Sequence, residues 1–213
     1  MTDLYTFSLL VFTSFFTLIN PLGTMPIFMS MTASLSKSKR KRTAKKATLV
    51  AFLTIIAFAF SGQILFDFFG ISVNSFRIVG GIIFFVMGWD MLQARLGNIK
   101  HTDDEDKIDA YVEDISITPL AIPMICGPGA ITNAIILMED AANIPQKIML
   151  FVVIALVLLL TYFILIGASK ITDKLGETGN KVMMRLMGLI VMVIAVEFFF
   201  SGLKPILIGI MNS

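Results

Sequence analysis

Four long stretches of this chain contain no charged residue, and they constrain its fold more than any other feature. These stretches are residues 4–36, 47–66, 115–138 and 148–169. A helix needs about 20 mostly apolar residues to cross the hydrocarbon core of a bilayer. With 56% hydrophobic and only 15% charged residues, the chain is also too poor in charge to face water on all sides. The sequence therefore predicts an integral membrane protein.

Two further apolar segments, residues 76–96 and 182–210, each contain three charged residues. Together with the uncharged stretches they predict an all-α, polytopic protein with six transmembrane helices. The N-terminal segment carries Asp3 but no Lys or Arg before its apolar run. A secretory signal peptide has a basic start and a small-residue cleavage site, so we expect the first span to be a retained helix.

Basic residues in one short connection predict the orientation in the membrane. Residues 34–46 contain seven Lys or Arg residues and no acidic residue. Because short cytoplasmic connections are enriched in Lys and Arg, we place this run in the cytoplasm and both termini on the outer side of the membrane. We expect the run to contact anionic lipid. No aromatic residue interleaves with its cations, which argues against a nucleic-acid partner.

An acidic segment divides the chain into two parts. Residues 97–114 contain seven Asp or Glu residues and form the longest connection between apolar segments. We expect this segment to be a cytoplasmic linker. It would join a first three-helix repeat, residues 1–96, to a second three-helix repeat, residues 115–213.

Short motifs recur in the same order in the two parts. Arg77-Ile-Val-Gly80 matches Arg185-Leu-Met-Gly188, and Asn20-Pro21-Leu22-Gly23 matches Gly127-Pro128-Gly129-Ala130. Each half contains three spans, an odd number, so the second half must enter the membrane from the opposite side. The sequence therefore predicts two inverted repeats, the plan of many secondary transporters.

Proline and glycine interrupt spans one and four at matching places, residues 20–26 and 119–133. Proline removes a backbone donor, and glycine lowers the cost of non-helical angles. Free backbone groups persist in a membrane only when they are buried in protein or line a wet cavity. Because half-helix N-termini carry partial positive charge, paired breaks predict a transport site. The structural alternative is two kinked helices whose polar residues cap the broken ends.

The predicted substrate site takes its residues from both breaks. They are Asn20, Pro21, Gly23, Thr24, Gly127, Pro128, Gly129, Thr132 and Asn133. The half-helix N-termini would hold a carboxylate, and the small glycines would leave room only for a compact ligand. Glu197 lies inside span six, where a carboxylate is a candidate for proton coupling. The alternative for Glu197 is a structural ion pair with Lys204.

The motifs together resemble the MarC family of bacterial membrane proteins. The resemblance rests on Asn20-Pro21-Leu22-Gly23, on Ala121-Ile-Pro123-Met124 followed by Gly127-Pro128-Gly129-Ala130, and on Ala195-Val-Glu197-Phe. This family is similar to the amino-acid exporter superfamily, and some members transport small neutral amino acids. The resemblance implies a secondary transporter of the glycine or alanine type that works by alternating access. A cation or metal permease and a non-transporting membrane partner subunit are the alternatives.

Other chemistry is weakly represented in the sequence. His101 is the only histidine, which argues against a His-based metal site, and no phosphate-cradling motif is present. We therefore expect no enzyme activity, no cofactor and no metal. The expected partners are a small-molecule substrate and the lipid bilayer, without nucleic acid, and the sequence leaves the oligomeric state open.

Overall fold

The computed structural model describes residues 4–93 and 105–211, and every regular element in these ranges is a helix. The helices are α1 Leu4–Ile19, α2 Pro21–Met31, α3 Lys37–Phe69, α4 Val73–Leu92, α5 Glu105–Ile115, α6 Ser116–Ile125, α7 Pro128–Asp140 and a last helical run, Ile144–Met211. This run is interrupted at Gly176, where φ is 66 and ψ is -176. Its two membrane-length parts, Ile144–Ala168 and Lys181–Met211, are named α8 and α9.

Length and hydropathy qualify five of the described helices as membrane spans. They are Leu4–Met31, α3, α4, α8 and α9. A sixth span arises if Glu105–Ile125 and Pro128–Asp140, which meet at 60°, count as one bent crossing. The prediction of an all-α, polytopic membrane protein is therefore confirmed, with five or six spans.

The basic run begins a helix instead of forming a loop. The Ser36 hydroxyl accepts a hydrogen bond from the Lys39 backbone N–H at 3.4 Å and caps the N-terminus of α3. The connection between spans one and two therefore contracts to residues 32–36. The first turns of α3 carry the cations beyond the apolar part of the span.

The acidic helix α5 packs its carboxylates against these cations. Asp109 lies 3.2 Å from the Lys39 ammonium and 3.3 Å from the Arg42 guanidinium. Glu113 lies 3.2 Å from Arg42 and also pairs with Lys46. The hydrogen bond from Lys39 holds the pKa of Asp109 below its ordinary value. These pairs bring the acidic segment and the basic run to the same side of the membrane.

The side chain of Arg40, which also belongs to the basic run, caps the end of α2. Its side chain is 6% exposed. Its Nε donates to the Thr32 and Leu35 carbonyls, both at 2.9 Å, and its Nη2 donates to the Ala33 carbonyl at 2.8 Å. The last carbonyls of a helix lack partners and carry partial negative charge. Lys39, Arg40, Arg42 and Lys46 thus contact protein groups, and the lipid contact expected for the basic run stays a prediction.

Helices α4 and α9 run antiparallel and touch through small residues. Their contacts recur every seven residues on each helix, at Asn74–Gly202, Gly81–Ala195 and Gly88–Gly188. A Cβ atom added to Gly81 would lie 2.7 Å from the Ala195 carbonyl oxygen, and one on Gly88 would lie 2.8 Å from the Gly188 carbonyl oxygen. Membrane helices pack by such close backbone approach because lipid gives them little hydrophobic reason to associate.

Candidate substrate site at two helix breaks

Span one breaks at a single residue, Asn20. Its backbone is left-handed, with φ 44 and ψ 67, a region that Asn tolerates better than most residues. Its Oδ1 accepts a hydrogen bond from the Gly23 N–H at 3.1 Å and caps α2. Pro21, which is buried, follows at the first helical position, where its missing N–H is not needed. The motif Asn-Pro-Leu-Gly therefore ends one helix and restarts the next.

Thr24 completes the first break from inside the protein. Its side chain is 3% exposed. Its hydroxyl lies 3.2 Å from the Asn20 carbonyl oxygen and 3.4 Å from the Ile19 carbonyl oxygen, so it donates to the end of α1. Asn20 and Thr24 thus both cap broken ends, as the structural alternative predicts. The Asn20 side chain is nevertheless exposed, and its amide group can still donate to a ligand.

Span four breaks before Pro128, with a bend of 60°. Within α6, Thr118 and Ile122 have extended backbone, each with φ -126 and ψ 121. Each precedes a proline, and the proline ring disfavours helical angles in the preceding residue. Helix α7 then begins with Gly127 at its N-cap, without a side-chain cap. The second break therefore leaves a helix N-terminus less satisfied than the first.

A cavity of about 360 Å³ lies against the first break. Asn20, Gly23 and Thr24 supply much of its polar lining, while Phe84 of α4 and Met124 of α6 line it elsewhere. The largest apolar wall comes from one face of α9, at Met187, Ile190, Val191, Ile194 and Phe198. Small-molecule sites are typically cavities of about 300–1,000 Å³ with mostly apolar walls and a few polar groups. The cavity matches that description.

The predicted site residues of the second break, at positions 127–133, do not line this cavity, although Met124 just before them does. Aromatic rings lie against the backbone of Gly127 and Gly129. A Cβ atom added to Gly127 would lie 3.0 Å from Phe84 Cζ. One added to Gly129 would lie 2.7 Å from Phe198 Cζ and 3.0 Å from a Leu18 methyl carbon. The two breaks are therefore close neighbours of the same aromatic pair, but only the first opens into the cavity.

The other predicted residues of the second break, Pro128, Thr132 and Asn133, are buried or partly buried. Pro128 packs directly on Gly80 and leaves no space for a Cβ atom there. The Asn133 amide donates to the Ser14 hydroxyl at 3.0 Å and ties α7 to α1. Thr132 is 2% exposed, and its hydroxyl has no hydrogen-bond partner within the described ranges. Since buried polar groups are nearly always bonded, Thr132 retains unused bonding capacity.

Glu197 occupies a different environment from the other predicted residues. Its side chain is exposed, and it does not line the cavity, although Ile194 and Phe198 on the same helix do. Its coupling role stays a prediction.

The α9 residues that line the cavity were not predicted from the sequence. Their spacing defines one helical face, but apolar residues occupy the other faces of this span as well, so spacing alone does not single it out.

Comparisons with known proteins agree with the motifs. The family model described as MarC family integral membrane protein matches residues 5–207. A UPF0056 membrane protein of Pyrococcus horikoshii is 39% identical over 196 residues, which is 92% of this chain and 94% of that protein. The UPF0056 membrane protein YvbG of Bacillus subtilis is 36% identical, with 94% of this chain and 96% of that protein covered. YhcE of Escherichia coli is 35% identical, with 94% of each covered. No solved structure matches this chain.

Proposed function

The chain belongs to the MarC family of integral membrane proteins, and on that premise we propose that it is a secondary transporter of a small solute that works by alternating access. The observation that carries the proposal is the cavity of about 360 Å³ against the helix break at Asn20. Broken helices around a central cavity are the usual form of a transporter binding site, because the break exposes backbone dipoles to the solute.

We propose a small neutral amino acid, of the glycine or alanine type, as the solute. None of the described residues that line the cavity is charged, so a solute without net charge fits best. The N-terminus of α2 carries partial positive charge and would attract the carboxylate, with the Asn20 amide as a second donor. The wall of α9 would contact the apolar side chain. The length of the α9 wall leaves room for larger aliphatic side chains as well. Uptake of a series of neutral amino acids with increasing side-chain size would compare them.

We propose that the two halves, residues 1–96 and 115–213, form inverted repeats. Helices α4 and α9 carry the matching Arg77 and Arg185 motifs and pack antiparallel, as equivalent helices of inverted repeats do. The first break faces α9, the last helix of the second half. The second break packs against α4, the last helix of the first half. Each break thus lies against the other half.

We place both termini in the periplasm and the chain in the inner membrane of a bacterial cell. Support comes from the cations of residues 37–46 and from the ion pairs that bring α5 to the same side.

The proposal assigns the chain no enzymatic step and no cofactor. Glu197 is proposed as a site for proton coupling, which substitution by Gln would test through the response of flux to a pH gradient.

The deciding experiment is uptake of labelled alanine and glycine by proteoliposomes, with and without a pH gradient. The key variant is Asn20→Asp, because Asp retains the capping oxygen and tolerates left-handed backbone but places negative charge beside the expected carboxylate. Asn143→Asp is the matched control, since Asn143 also caps a helix, by accepting from the Gln146 N–H at 3.0 Å, and does not line the cavity.

We expect saturable flux in the parent protein and in Asn143→Asp, and at least about a tenfold loss in Asn20→Asp, equivalent to about 1.4 kcal/mol of lost binding. Normal flux in a folded Asn20→Asp protein would contradict the carboxylate site. Absence of flux for every neutral amino acid in the parent protein would contradict the amino-acid proposal and favour a different solute or a partner subunit.

A further inference from the structure

We propose that Phe84 and Phe198 form a partition between the cavity at the first break and a second, closed half-site at the N-terminus of α7. The inference rests on the proposed transport function. It specifies which of the two helix breaks a solute can reach in this conformation. The two rings contact each other edge to face, with centroids 5.9 Å apart and an interplanar angle of 80°. Both rings line the cavity.

The same two rings also touch the backbone of the second break. Phe84 Cζ lies 3.0 Å from the place that a Gly127 Cβ would occupy, and Phe198 Cζ lies 2.7 Å from the corresponding place at Gly129. Each ring therefore contacts both the cavity and one glycine of the break. Any larger residue at these two positions would displace the rings. The two glycines thus allow the rings to pack against the backbone in this conformation. They also allow the non-helical backbone of the break.

Polar groups suited to a ligand lie behind the partition. Helix α7, of 13 residues, has no side-chain cap at its N-terminus, and this end carries partial positive charge. Thr132 lies in the first turns of α7, 2% exposed and with no hydrogen-bond partner in the described part of the chain. Thr132 follows Gly129 by three residues and therefore lies on the same face of α7, about one turn from its N-terminus. Together they fit a hydrogen-bond acceptor such as the carboxylate of a neutral solute.

The two breaks are therefore in different states. The first, with Asn20 and Thr24, opens into the cavity, while the second, with Thr132, is covered by aromatic rings. An arrangement with one half-site open and the other covered is what alternating access requires of two halves that exchange roles. The partition would move aside when the cavity closes, and a solute would then reach the second half-site.

Cysteine accessibility tests this partition directly. In a Cys126→Ala background, which removes the single native thiol, Thr17→Cys reports the cavity, because Thr17 lines it and is exposed, and Thr132→Cys reports the covered half-site. A membrane-impermeant methanethiosulfonate reagent is applied to both sides of proteoliposomes. A site that is reachable only in a minor state of at most about 10% population should react about tenfold or more slowly than an open one. We therefore expect Thr132→Cys to react more slowly than Thr17→Cys by at least that factor.

Removal of either ring, by Phe84→Ala or Phe198→Ala, should raise the Thr132→Cys rate about tenfold, toward the Thr17→Cys rate. Phe85→Ala and Phe200→Ala are matched controls, because these rings line a separate apolar groove between α4 and α9. They should leave the rate unchanged. If an alanine variant fails to fold, Phe84→Leu and Phe198→Leu keep apolar packing while they remove the ring edge.

An unchanged Thr132→Cys rate after ring removal would overturn the partition, and so would equal acceleration in the Phe85 and Phe200 controls, which would indicate general loosening. Labelling needs no flux, so the two proposals fail separately. Ring-dependent labelling without amino-acid flux would retain the partition and reject the proposed solute. Flux with ring-independent labelling would retain the transporter and reject the partition.

Discussion

The stability of the first helix break should depend on two separable properties of Asn20, its left-handed backbone and its capping oxygen. The φ of 44 costs a residue with an ordinary Cβ about 1–2 kcal/mol. The hydrogen bond from Gly23 N–H to Asn20 Oδ1, at 3.1 Å, is worth about 0.5–2 kcal/mol when an Asn cap is replaced by Ala. Asn20→Ala loses both contributions and should destabilise the protein by about 2–3 kcal/mol.

Asn20→Gly separates the two contributions. Glycine adopts the left-handed region freely and costs only about a few tenths of a kcal/mol as a cap. For a chain of this size, each kcal/mol shifts Tm by about 2–4 °C. We therefore expect Asn20→Ala to lower Tm by about 4–12 °C and Asn20→Gly by no more than about 2 °C. Asn143→Ala, which removes a cap at a residue without positive φ, should fall between them.

The assay is thermal unfolding of purified protein in detergent, followed by circular dichroism at matched protein and detergent concentrations. Equal loss in Asn20→Ala and Asn20→Gly would refute the backbone part of the reasoning. No loss in Asn20→Ala would refute the whole account, because the break would then be held by other contacts. The Asn20→Gly protein also serves transport measurements, since it lacks the amide but should keep the fold.

The remaining predictions concern the packing around the site. Gly88→Ala should destabilise the protein by about 1–3 kcal/mol, because the added methyl group overpacks the α4–α9 contact. Gly167→Ala, with open space at its Cβ, is the control and should be neutral or stabilising by up to about 1 kcal/mol. Equal Tm values for the two variants would contradict the close approach of α4 and α9. Arg40→Met removes the guanidinium donor from the Thr32, Ala33 and Leu35 carbonyls, of which Thr32 keeps the Leu35 N–H as a donor. It should cost about 2 kcal/mol or more, with partial recovery in Arg40→Lys, and an unchanged Tm would exclude the capping role. Glu113→Gln should lower Tm by less than about 3 °C because exposed ion pairs contribute about 0–1 kcal/mol. That difference should vanish in about 1 M salt, and persistence at high salt would point to packing instead of charge.

Span positions and helix breaks follow from local chemistry, which is why sequence reasoning found them. Uncharged apolar runs have one low-energy place in a bilayer, and Asn20 next to Pro21 cannot continue a helix. The same holds for Gly127 next to Pro128. Each of these consequences depends on a residue and its immediate neighbours. They need no knowledge of what packs against them.

The basic run is a case where local reasoning gave only part of the answer. Its seven cations indicate the orientation of the chain in the membrane and predict a contact with lipid. In the structure Arg40 caps α2, and Lys39, Arg42 and Lys46 pair with α5. The acidic partners of Arg42 in α5 lie 67 and 71 residues further along the chain, so no local pattern identifies them.

The sequence alone determined that this chain is a helical membrane protein with interrupted spans and which residues interrupt them. Only the tertiary structure decided that the first break opens into a cavity while Phe84 and Phe198 cover the second, and that Glu197 does not line this cavity. The physical reason is that helices that are apolar on every face carry no periodic signal for which face meets protein and which meets lipid. In such spans the choice of face follows from close packing between distant segments, such as the glycine contacts of α4 with α9.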